Sequence, residues 1–150
     1  MTTTPGDSPL DRIERLRQCI DAHDLDGVVD CFAIDYVNET PLHPGRGFTG
    51  RAQVRRNWEQ IFAGVPDISA SILRSAVDGS TVWSEWEMQG TRLDGTPFLM
   101  AGVGIFDIRD GRAAHCRFYL DPVDPDPAGI DEFTGRLAAG TGPAPQGVGS

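Results

Sequence analysis

Glu85 and Glu87 stand two residues apart in a segment of alternating character, Trp83-Ser-Glu-Trp-Glu-Met. Residues two apart on a strand share a face, so the pair would present two carboxylates side by side. Buried together, they would lose hydration and repel each other. That raises at least one carboxyl pKa towards neutrality and divides the pair into a general acid and a general base. Such a division serves enolisation, cyclisation or hydrolysis. Alternation on a half-buried strand equally allows the opposite arrangement, with Trp86 against the core and the glutamates in water. The pattern leaves both open.

The remaining chemical inventory is narrow. The chain has no Lys, its basic residues all being Arg, which excludes Schiff-base catalysis through a lysine. Its three histidines, His23, His43 and His115, form neither HxH nor HxxxH, so no metal site is expected. No P-loop, GxGxxG or GxSxG occurs, and no cofactor is expected. Cys19, Cys31 and Cys116 form no CxxC pair, which suits reduced thiols in a cytoplasmic protein. A net charge of −9 without any basic run argues against nucleic acid and anionic membrane as partners. No segment approaches the ~20 apolar residues of a membrane span, and the N-terminus lacks the pattern of a signal peptide. The Arg-only, Gly- and Pro-rich composition points to a bacterial source.

Residues 1–8 read as a disordered tail. Ser8-Pro9 starts an amphipathic helix over 9–22 through Leu10, Ile13, Leu16 and Ile20. Asp24 caps a shorter helix with the stripe Leu25, Val28, Val29 and Phe32. A short strand over 36–39 and a breaker-rich loop over 40–47 precede a third helix over 51–62. Gly64 is expected as its left-handed cap. Three Asp-Gly dipeptides, at 78–79, 94–95 and 110–111, then punctuate four strands over 67–77, 80–92, 97–109 and 112–121. Beyond Pro122 lies a Pro- and Gly-rich extension, 124–150, with a helix over 130–138 and a disordered end. Helices followed by a long antiparallel meander predict an α+β fold of one domain over 9–123. Three helices lie on the concave face of a curved sheet, forming a cone around an internal cavity.

If Asp94-Gly95 is the centre of a two-residue turn, Glu87 pairs with Gly102, Glu85 with Gly104 and Trp83 with Phe106. Ile68, Ala70 and Ile72 join that face through the first turn. Two glutamates opposite two glycines leave room for a ligand above the sheet. Met100 falls on the same side. Glu39 and Asn38, on the short strand, either reach the cavity or pair with Arg46 or Arg51. His43 sits in the loop at the expected mouth, and Trp58 and Phe62 form its helical wall.

The segment Ala22-His-Asp-Leu-Asp-Gly-Val-Val-Asp-Cys-Phe-Ala-Ile-Asp-Tyr-Val-Asn-Glu-Thr-Pro resembles the opening of the nuclear transport factor 2-like superfamily, in particular its SnoaL-like domains. Gly47-Phe-Thr-Gly-Arg, Gly104-Ile-Phe-Asp-Ile-Arg-Asp-Gly-Arg and Phe118-Tyr-Leu-Asp resemble its later motifs. The resemblance spans about residues 9–123 and implies the cone-shaped α+β barrel. The roles that ketosteroid isomerase-like members fill with acids or a Tyr fall on Thr40, Leu16 and Gly104, so those roles are vacant here. Aligned without gaps, the Arg-x-Asp of limonene-type epoxide hydrolases falls on Glu85 and Glu87. The last-strand Asp of that group, which SnoaL-like cyclases share in comparable form, falls on Phe118.

The resemblance therefore implies a cofactor-independent enzyme acting by acid–base chemistry on an apolar small molecule, such as a cyclase, isomerase, lyase or hydrolase of secondary metabolism. Glu85 and Glu87 would be catalytic. Glu39, His43, Trp58, Phe62, Met100, Gly102, Gly104, Phe106 and Phe118 would contact substrate. The alternative is a non-catalytic binding or dimerisation domain. An apolar second face of the sheet, together with family habit, implies a homodimer. The family also places Cys116, Phe118 and Leu120 inward. An ideal Asp110-Gly111 turn would instead place His115, Arg117 and Tyr119 there, so a β-bulge in one of the last two strands is expected.

Overall fold

The computed structural model describes residues 7–140. The expected disorder of the termini concerns residues largely outside this range. Helix α1 (Pro9–Asp21) begins with a capping box: Ser8 Oγ accepts the Asp11 N–H at 3.1 Å, and the Asp11 carboxylate accepts the Ser8 N–H at 3.3 Å. Ile13, Leu16, Cys19 and Ile20 share its buried face. Asp24 caps α2 (Leu25–Asp30) by accepting the Gly27 N–H at 3.0 Å. Phe32, expected on that helix, instead opens strand β1 (Phe32–Glu39), which is longer than the predicted strand over 36–39. Phe32 pairs with Ala113 of the last strand, a tertiary contact that overrides the helical spacing. A 3-10 turn at Pro44–Arg46 and a two-residue strand, β2 (Phe48–Thr49), lead into α3 (Arg51–Gly64). Gly64 is the last helical residue and not a left-handed cap; Val65 takes the cap position with φ −131°.

The meander consists of β3 (Ser69–Asp78), β4 (Thr81–Thr91), β5 (Pro97–Arg109) and β6 (Arg112–Pro122). A short helix, α4 (Ile130–Ala139), follows. The sheet order is β2-β1-β6-β5-β4-β3, with β1 parallel to β6 and the other pairs antiparallel. The sheet is curved and unclosed, with β2 and β3 at its edges. Its concave face packs on the helices around a core of Ile13, Ile20, Val28, Ile68, Val82, Trp86, Phe106, Cys116 and Leu120. Among the described residues no helix is long and apolar enough to cross a membrane.

The three Asp-Gly turns are three different turns. Only Asp110-Gly111 is the expected two-residue turn with positive φ at both positions, 53° and 75°. At the first, Asp78 pairs with Thr81, so Gly79 and Ser80 are the central residues. At the second, Thr91 pairs with Pro97, and the Arg92 N–H donates to the Thr96 carbonyl at 2.9 Å. That closes a three-residue loop, Leu93-Asp94-Gly95, in which Gly95 alone has positive φ, 86°. Asp94 fixes it by accepting from the Thr96 N–H and hydroxyl.

One extra loop residue moves every β4 side chain to the other face. Trp86 pairs with Gly102 and Ser84 with Gly104, whereas the two-residue turn predicted Glu87 and Glu85 at those positions. Trp86 and Met88 are therefore buried at 2% and 7% exposure, and Trp83 is 50% exposed. The inward placement of Glu85 and Glu87 is corrected: both lie on the convex face, where Glu85 stands near Arg74. The expected bulge is present. The register of β5 with β6 shifts between Asp107 and Ile108, so Phe106 pairs with Cys116, Gly104 with Phe118 and Gly102 with Leu120.

Candidate functional site

The concave face and the helices enclose a cavity of about 390 Å³. Its deep wall is apolar and aromatic, with Leu16 and Ile20 from α1, Phe32 from β1, Trp58 from α3, and Trp86, Phe106 and Phe118 from the sheet. Gly102, with φ 148°, sits where a Cβ would meet the Tyr119 carbonyl oxygen at 2.1 Å. No side chain fits there, and the strands approach closely at that point. A buried relay holds the wall in place. The Trp86 indole N–H donates to Ser84 Oγ at 2.8 Å, and the Ser84 hydroxyl donates to the Gly104 carbonyl at 2.9 Å. The indole thus satisfies its polar atom without turning out of the core.

A line of hydrogen bonds along β1 supplies the polar wall. The Tyr36 hydroxyl donates to Asn38 Oδ1 at 2.8 Å, and Asn38 Nδ2 donates to Thr40 Oγ1 at 3.2 Å. Burial, and then the neighbouring Cys116 thiol, push the Tyr36 phenol far up, so it remains a neutral donor. Burial likewise pushes up the Cys116 thiol, which leaves it an inert core group behind the wall. The line orients two remaining donors, the second Asn38 N–H and the Thr40 hydroxyl, on residues that border the cavity. Asn57 borders it from α3. Its Oδ1 accepts from Gln53 at 2.8 Å, leaving its amide N–H groups as donors.

At the mouth, the end of β6 brings a carboxylate to the loop that follows β1. Asp121 Oδ2 lies 3.0 Å from His43 Nε2, and Asp121 Oδ1 lies 3.6 Å from Arg46 Nη1. Asp121 and Arg46 both border the cavity. The His43 N–H bonds back to the Thr40 carbonyl at 2.8 Å, which ties the mouth to the polar wall. This constellation can take a proton from a bound molecule, share it between carboxylate and imidazole, and place donors against an oxygen that gains charge.

Of the residues expected to contact substrate, Trp58, Met100, Phe106 and Phe118 border the cavity. His43 reaches it through Asp121. Gly102 and Gly104 are on the inward side of β5, but the Phe106 ring fills the space above Gly104. Phe62 packs behind the wall between Trp58 and His23. Glu39 points to the convex face, where it pairs with His115 and Arg117. The gapless alignment missed Asp121 by assigning the last-strand carboxylate to Phe118. The signal for it was the Asp closing Phe118-Tyr-Leu-Asp.

The SnoaL-like domain model matches residues 13–116. Similar solved structures include IdmH from Streptomyces antibioticus, a proposed polyketide cyclase. It is 24% identical with a TM-score of 0.65, and the match covers 75% of this chain and 91% of that one. A limonene epoxide hydrolase-like enzyme of Mycobacterium tuberculosis is 20% identical with a TM-score of 0.65, over 75% and 82% of the two chains. A second M. tuberculosis protein, solved with estradiol-17beta-hemisuccinate, is 19% identical with a TM-score of 0.65, over 76% and 95%. No curated protein matches the sequence significantly.

Proposed function

From the premise that the chain belongs to the SnoaL-like domain family, we propose that it catalyses proton transfer at carbon next to a carbonyl of an apolar small molecule, the first step of an isomerisation or a cyclisation. Asp121 is the base. It accepts the proton, shares it with His43 Nε2 and returns it to the product. The Thr40 hydroxyl and the Asn38 amide donate to the enolate oxygen, with Arg46 adding positive charge at the mouth. The aromatic wall excludes water and holds the substrate's apolar body. The observation that carries this reading is the Asp121–His43 contact at the edge of a mostly apolar cavity. Glu85 and Glu87 have no part in it, since neither borders the cavity.

The test is deuterium uptake from heavy water into an apolar β-keto ester or cyclic diketone, followed by proton NMR. The full chain should speed uptake above buffer, and Asp121→Asn should remove the gain. No acceleration across a panel of such ketones would sink the proposal.

A second reading, ligand binding without turnover, is favoured by one observation. Apart from Tyr36, the deep wall carries no titratable group. Tight binding of the ketones without exchange would select it. A homodimer is also proposed, through the convex face, where Trp83, Val103, Ile105 and Tyr119 form an apolar patch. A monomeric mass at micromolar concentration would rule it out.

A further inference from the structure

Helix α4 carries an apolar stripe without a cover. Ile130, Phe133 and Leu137 recur at helical spacing and are 74%, 53% and 69% exposed. Every residue of the helix is exposed, and the opposite side bears Asp131, Glu132 and Arg136. A helix of ten residues is too short to be stable in water on propensity alone. Its stripe therefore needs a surface, and the chain itself limits which one.

The tether begins at the cavity. Asp121 and Pro122, the last residues of β6, border the mouth, and Val123 is pinned beside it by its N–H bond to the Leu99 carbonyl at 3.0 Å. Residues 123–129 can span at most about 25 Å, which keeps the start of α4 within that distance of the mouth. The spacer is also locally ordered. Asp124 and Asp126 each accept a backbone N–H two residues on, at 2.9 and 3.0 Å, around Pro125 and Pro127. Exposed apolar side chains flank the mouth: Leu42, next to His43, and Val123.

We propose that α4 is a lid. Its Ile130/Phe133/Leu137 stripe closes over the cavity mouth of its own chain, on Leu42 and Val123, and leaves Asp131 and Glu132 towards water. Closure buries apolar surface on both sides and shields the Asp121–His43 pair from bulk water. The inference holds whether the cavity serves catalysis or binding alone.

A nitroxide attached at Ala139→Cys, on the helix side opposite the stripe, tests it in the full chain. Cys31→Ser removes the one part-exposed native thiol, since Cys19 and Cys116 are buried. Paramagnetic broadening is read at the backbone amides of Leu42, Arg46 and Val123, and at those of Trp83 and Ile105 on the convex face. The mouth amides should broaden several-fold more than the convex-face amides. Phe133→Ser/Leu137→Ser should abolish that contrast without unfolding the domain. Equal broadening at both places, or a contrast that survives loss of the stripe, would overturn the lid. So would broadening that passes to an isotope-labelled chain mixed with the nitroxide-bearing one, because the stripe would then cover a second copy.

Discussion

Two histidine–carboxylate contacts occupy opposite sides of one sheet. At the cavity mouth, His43 faces Asp121, with Arg46 behind. On the convex face, His115 lies between Glu39 and Asp107, with Arg117 on Glu39 and Thr81 on Asp107. The second cluster has more partners, and the His115 contact holds Glu39 below its ordinary carboxylate range. By inventory alone it is the richer site. It borders no apolar cavity, however, and each of its groups is already answered by another. The mouth pair has fewer partners and an apolar chamber on one side. The difference teaches that acid–base potential lies in what a pair leaves unsatisfied and in the space beside it.

The largest expected effect separates these two sites. Asp121→Asn should slow α-proton exchange by about 10²–10⁴-fold, the range for a lost general base. His115→Ala should leave the rate essentially unchanged. If the two variants behave alike under NMR-monitored exchange, the comparison fails. A second contrast concerns the faces of β4. Trp86→Ala, deep in the core, should cost about 3–5 kcal/mol of unfolding free energy. Glu87→Gln, on the convex face, should stay within about 0.5 kcal/mol. Urea titrations of both variants decide it, and a costly Glu87→Gln would break the assignment of faces. Ser84→Ala should cost about 1–3 kcal/mol by leaving the Trp86 indole N–H buried without an acceptor. A double variant with Trp86→Phe should recover part of that loss.

The smallest effect is on acid stability. The Thr91 N–H holds Asp67 below the usual carboxylate range, the Thr96 hydroxyl and N–H do so for Asp94, and Arg112 does so for Asp30. The folded state therefore favours their ionised forms. Their contribution is present above the unfolded Asp value of about 3.9 and is lost as pH falls through the lower folded values. Melting temperature should hold down to about pH 5 and decline below about pH 4. Asp67→Asn and Asp94→Asn should flatten that decline, and a profile unchanged by both would exclude them as its source.

Much of the fold was legible because its signals are local. Ser8-Pro9 with Asp11, and Asp24 with Gly27, carry their caps in sequence. The bulge after Asp107 was legible because two independent readings of β6 disagreed by one residue. The β4 face was not legible. Leu93-Asp94-Gly95 and Asp110-Gly111 share a dipeptide, and only the hydrogen bond from Arg92 to Thr96 distinguishes a three-residue loop from a two-residue one. The site suffered for the same reason: Glu85 and Glu87 were placed by that turn. Asp121 was not legible from alternation, because Cys116, Phe118 and Leu120 set the inward parity of β6 and Asp121 reaches the mouth only at the strand's end. Trp58 came from helical spacing and Phe118 from the family motif, neither of which depends on that turn, whereas Met100 and Phe106 face inward because β5 keeps its own alternation whichever way β4 pairs.

The loop over 93–95 acts as a parity switch for the strand that precedes it. Inserting or deleting one residue there would ask Trp86 and Met88 to trade places with Glu85 and Glu87. That would empty the core and drive carboxylates into it. Inserting two would return every side chain to its own side. A library of loop lengths between β4 and β5 should therefore yield folded chains in alternate members only. Diversity at that end of the barrel is open to a designer in steps of two.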